Sequence, residues 1–146
     1  MIGLQIEKKS LTYLRDIAHH TQKMSRGHRL AFYNIGKENT RYTREIIKNG
    51  PKTGRLYRIP GRKKRHRASA PGEPPANLTG KLRRGVNFSV KGTDQMEFGD
   101  TVPYGFFLER GTKRMQKRTH LIRAIKKNEA YAEKELGLRP LEELKK

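Results

Sequence analysis

The chain has no cysteine, so neither a disulfide nor a thiolate metal site is open to it. Nowhere do the roughly 18 apolar residues of a membrane-spanning helix run together. The opening Met1–Glu7 meets charge too soon to read as a signal peptide. Acid is scarce: 14 Asp and Glu stand against 34 Lys and Arg, a formal net charge of +20 over 146 residues, with a pI near 10.6. Apolar residues make up only 33% of the chain, no more than the charged ones, so its hydrophobic core must be thin.

A length of 146 residues suits one domain, 1–146. An excess of cations repels itself in the free chain and attracts polyanions or acidic protein surfaces. Nucleic acid and an acidic protein ring both answer that description, and composition does not separate them.

Along the chain, Ile2, Leu4 and Ile6 alternate as in a short strand. Ser10 can cap a first helix whose inner face carries Leu11, Leu14, Ile17 and Ala18. Ser25-Arg26-Gly27 interrupts or kinks it, and a second helix is expected from about His28 to Lys48. Leu30, Ala31, Tyr33, Asn34, Ile35, Tyr42, Ile46 and Ile47 supply its imperfect stripe. Asn49-Gly50-Pro51 should end it through a left-handed Gly50 and a Pro that cannot continue. Thr79 caps a short helix, and 87–90 and 95–98 read as strands about a hairpin turn. The most apolar run, Val102–Leu108, is expected to be buried as a strand or short helix. A last helix, capped by Thr119, should bury Leu121, Ile122, Ile125, Ala132 and Leu136, with Gly137 ending it and Pro140 opening a tail. The expected class is α+β: N-terminal helices, a small antiparallel sheet, a C-terminal helix and a long basic central arm.

That arm, 51–78, is the unusual part. Lys52, Arg55, Arg58, Arg62, Lys63, Lys64, Arg65 and Arg67 place eight cations before the first acid, Glu73. Leu56–Ile59 and His66–Ala68 can form a hairpin turned at Pro60-Gly61, followed by an extended Pro-rich stretch. No core requirement explains these cations, so Lys52, Arg55, Tyr57, Arg58, Arg62, Lys63, Lys64, Arg65 and Arg67 are read as partner-binding. An acidic protein surface and a nucleic acid are the two partners such cations would suit.

Catalytic chemistry is hard to find. His19 and His20 are adjacent and cannot share one helical face. His66 lies among cations, and His120 falls in the first turn of the last helix. No histidine pair has metal-ligand spacing beside a carboxylate. Asn49-Gly50-Pro51-Lys52-Thr53 lacks the glycine spacing of a phosphate loop. The expectation is a protein that is not an enzyme and holds no cofactor.

Two stretches together carry a resemblance. One is Pro51-Lys52-Thr53-Gly54-Arg55-Leu56-Tyr57, then His66–Ala76, then Thr79-Gly80-Lys81-Leu82. The other is Val102–Thr112 with Lys113-Arg114-Met115, Arg118 and Leu121. In that order, over about residues 50–130, they resemble the tail-component family of lambda-like long-tailed phages, related to the lambda minor tail protein Z group. The family's Arg-Pro-Phe-Leu entry to the last helix is here Arg118-Thr119-His120-Leu121. Its motif residues fall on Pro71, Gly72, Glu73, Thr79, Gly80, Leu82, Tyr104, Glu109, Gly111 and Thr112. The resemblance implies a virion protein of the neck, assembled in the host cytoplasm and joining head-closure proteins to the tail as a ring subunit. A hexamer is favoured and a dodecamer is the alternative; DNA contact through a central channel stays open. A tail terminator and a basic nucleic-acid-binding protein are the competing readings.

Overall fold

A computed structural model describes residues 8–61 and 63–146, with side chains from residue 15 onward. The expected strand at 2–6, the inward faces of Leu11 and Leu14, and Arg62 lie outside what it describes. The fold is α+β, built on one long helix, α1 (Lys8–Asn49). At 42 residues it is about 63 Å long.

The buried positions of α1 include Gly27, Ala31, Ile35, Asn39, Thr43 and Ile47, one every four residues. Four residues overshoot a helical turn by about 40°, so this stripe winds around the helix as it advances. Its first half meets the C-terminal helix and its last position, Ile47, enters the main core. A Cβ on Gly27 would sit 2.5 Å from Pro140 Cα. Gly27 therefore serves close helix packing, and the expected break into two helices does not occur.

The chain leaves α1 at Gly50, whose N–H still donates to Ile46 O at 2.8 Å. Gly50 is not among the left-handed glycines. It is needed for space, since a Cβ there would lie 2.3 Å from that same carbonyl. A two-stranded hairpin follows, β1 (Leu56–Arg58) against β2 (Arg65–Arg67), as the sequence suggested. After α2 (Lys81–Gly85) come β3 (Val86–Lys91) and β4 (Gln95–Asp100), antiparallel, with Phe88 opposite Phe98 and Val90 opposite Met96. The helices α3 (Pro103–Arg110), α4 (Leu121–Lys127) and α5 (Glu129–Leu144) complete the order. Ile47, Leu82, Val86 and Val102 form the core, with Phe98, Leu108 and Leu121 packed around it.

Several expectations fail for one reason: among the described residues, too few elements pack together to cover every apolar face. The 103–108 run is a single short helix, and a helix turns only one side inward. Val102 and Gly105 are buried and Leu108 half-buried, whereas Tyr104, Phe106 and Phe107 are exposed. Ile17, Ala18, Leu30 and Tyr33 on α1 are exposed, as are Ile122, Ile125 and Leu136. Polar and small residues take the interior positions instead: Asn128 Nδ2 donates to Asn39 Oδ1 at 2.8 Å, and Asn34 Nδ2 to Glu135 Oε2 at 2.7 Å. Gly137 and Pro140 both lie inside α5, which continues to Leu144; Pro140 is buried where α1 needs a glycine. The cap of α4 is His120, not Thr119, whose Oγ1 accepts from Arg123 Nε at 3.2 Å.

Candidate functional site

The basic hairpin is a ribbon with two unlike faces, because alternate strand residues point to opposite sides. Tyr57 stands opposite His66, their rings edge to face at 5.5 Å. The other face carries Leu56, Arg58, Arg65 and Arg67, with Arg58 directly opposite Arg65. Like charges facing each other across a strand pair are destabilising. None of Arg55, Arg58, Lys63, Lys64, Arg65 and Arg67 forms an ion pair among the described residues. Arg67 Nη1 donates to Gly54 O at 3.4 Å, and Lys52 Nζ donates to Lys48 O at 2.7 Å.

The hairpin's base is closed by Glu73. Its Oε2 accepts the N–H of Thr53 at 3.0 Å and of Ala70 at 2.7 Å, while Oε1 accepts the Thr53 hydroxyl at 2.6 Å. These bonds hold its carboxyl below the ordinary carboxylate range, the Thr53 hydroxyl contributing most. Gly54 N–H to Ala68 O and Ala68 N–H to Arg55 O, both 3.0 Å, continue the ladder upward. Gly72 takes a φ of 83° and its carbonyl accepts Arg123 Nη2, tying the arm to α4. Pro71 is exposed, but Pro74 and Pro75 are buried, so the Pro-rich stretch is packed against the body along part of its length.

Beneath the hairpin lies a cleft of about 370 Å³. Tyr57 and His66 line it from the hairpin, Thr79, Gly80 and Leu82 from the start of α2, and Tyr104 from α3. The two stretches singled out in the sequence thus meet at one place. Thr79 Oγ1 accepts the Lys81 N–H at 3.3 Å, and Gly80 takes the left-handed φ of 76° that starts α2.

The rest of the second stretch shapes the turn between α3 and α4. Gly111 has a φ of 80°, and a Cβ there would lie 2.9 Å from Lys117 N. Thr112 and Met115 bridge each other through N–H to O bonds of 2.8 and 3.2 Å. Glu109 accepts the backbone N–H groups of His120, Leu121 and Ile122 at 2.8, 3.2 and 3.0 Å. It supplies the cap that α4 lacks from its own residues. The His120 ring is fully buried between two acids, Nε2 3.0 Å from Asp100 Oδ2 and Nδ1 2.9 Å from Glu109 Oε2. The second contact is an ion pair without hydrogen-bond alignment. Burial alone would raise the Glu109 carboxyl; the His120 ring and the three N–H donors overcome it and bring it to about 2. Burial alone would lower His120; the flanking carboxylates overcome it and raise the imidazole. The sequence reading did not find this cluster, since nothing local links Asp100 and Glu109 to a histidine 20 and 11 residues on.

Among the described residues no group of His, Asp and Glu is arranged to hold a metal ion, and no helix is long and apolar enough to cross a membrane. Comparison with family models, curated proteins and solved structures returns no match to this chain.

Proposed function

We propose that this chain is a structural subunit of the neck of a long-tailed phage, packing with copies of itself into a ring, six-fold by preference, that joins head-closure proteins to the tail. The work done is geometric: identical subunits meet head to tail until the ring closes. The observation that carries the reading is the division of labour within the arm. Pro71, Gly72, Glu73, Thr79, Gly80 and Leu82 shape its base and the cleft below, while its described cations form no ion pair among the described residues. A carboxylate surface on an adjoining ring or subunit suits the exposed arginines, whose planar forks bind carboxylates in pairs of hydrogen bonds.

A two-stranded ribbon with an arginine face also fits a DNA major groove, which gives the competing reading its specific support. Changing Arg58, Arg65 and Arg67 together to Ala separates the two. On the joining account, filled heads and finished tails accumulate apart. Particles that join normally but leak or eject DNA at altered rates would overturn it in favour of DNA contact.

A further inference from the structure

We infer that the amino-terminal half of α1 binds the phosphate backbone of double-stranded DNA. This goes beyond the neck reading and does not depend on it. Arg15, His19, Gln22, Arg26, Arg29 and Tyr33 recur every three or four residues. At about 100° per residue they fall within an arc of about 80° and form a straight row about 27 Å long. All six are exposed. The buried Gly27, Ala31 and Ile35 lie on the opposite side of the helix, where Gly27 meets Pro140 of α5. Packing against α5 therefore leaves the row uncovered. His19, Gln22, Arg26, Arg29 and Tyr33 also line one open hollow of about 610 Å³, to which the turn between β3 and β4 adds Thr93.

The two halves of α1 differ in how their cations are used. In the second half, Arg41 pairs with Glu38 and Glu45. In the first, Arg15, Lys23, Arg26 and Arg29 form no ion pair among the described residues. The one acid between Arg15 and Lys37 is Asp16, about 100° around the helix from Arg15. Every side chain in the row can donate a hydrogen bond, as can Lys23, Ser25 and Thr93 beside it, and such side chains hold phosphate oxygens without reading sequence. Duplex DNA carries one negative charge per about 1.7 Å of its axis, so a straight row of cations meets phosphates wherever it lands. A protein partner would have to set carboxylates at matching positions. A single strand is held largely by stacking on aromatic rings. The row offers only Tyr33, whose ring already meets Phe88 edge to face at 5.5 Å.

The test is fluorescence anisotropy of a short labelled duplex of mixed sequence, titrated with the full chain over a range of salt concentrations. Arg15→Gln, Arg26→Gln and Arg29→Gln together should weaken binding roughly a hundredfold at about 0.1 M salt. The slope of log affinity against log salt should become shallower by roughly three. Lys126→Gln, Lys127→Gln and Lys134→Gln together remove the same charge from exposed positions on α4 and α5, and should weaken binding far less. Equal losses in the two variants would show attraction by net charge without a site and overturn the inference. Tighter binding of a single strand of the same length, or of a polyglutamate peptide, than of the duplex would also overturn it. This outcome is read on purified protein and the neck reading on assembled particles, so the failure of either is distinguishable from that of the other.

Discussion

Glu109, His120 and Asp100 show how single residues hold this thin-cored fold. Glu109 ties α3 to the start of α4, and a Cβ on Gly105 would fall 1.9 Å from Asp100 Oδ1, so that glycine makes room for the acid. Glu109→Gln leaves His120 with Asp100 alone and takes a charged acceptor from the start of α4, so it should lower stability by roughly 1–3 kcal/mol in chemical denaturation. The pH dependence has two limbs. Glu109, lowered to about 2 in the fold, contributes stability that is present above the ordinary carboxylate range and lost as pH falls toward 2. His120, raised in the fold, contributes stability that is full below its unfolded value of about 6.5 and lost as pH rises through the folded one. His120→Gln should therefore destabilise more at about pH 5.5 than at about pH 8.5. An equal loss at both would mean the ring is neutral in the fold. The sequence showed His120 only as a helix-start residue; its partners come from β4 and α3, and no local pattern brings them together.

At the scale of elements, local punctuation was readable where it acts locally. The end of α1 at Asn49-Gly50-Pro51, the turn at Pro60-Gly61 and the short strands on either side of it follow from residues that restrict their own backbone. What was not readable depends on which faces find a cover. Gly27 looked like an interruption because its reason, Pro140 on α5, is more than a hundred residues away. Gly27→Ala should force the two helices apart and cost about 1–3 kcal/mol, read as a lower thermal midpoint. The apolar run on α3 likewise suggested a core. Phe107 is 52% exposed, so Phe107→Ala should cost under about 1 kcal/mol, while Leu82→Ala in the core should cost about 2–5. Equal losses in the two variants would show that Phe107 is packed after all. The exposed Phe106 on α3 and Ile122 on α4 line one open hollow, an apolar surface that the proposed ring could cover.

For the whole molecule, charge and core size set the behaviour. A net charge of +20 opposes close approach of free copies, while the buried apolar set is small. Purified protein should therefore be largely monomeric in light scattering, its association rising with salt, and stable rings should need the adjoining proteins. A closed ring at low concentration and low salt would contradict this. The proposed neck role is tested most directly by electron cryomicroscopy of the phage particle in which the proposal places this chain. The account predicts a ring of this fold between head and tail, six-fold by preference, with the Arg58, Arg65 and Arg67 face of each hairpin against carboxylates of an adjoining protein. Density for the chain elsewhere in the particle, none at all, or hairpins lying along the DNA would contradict it.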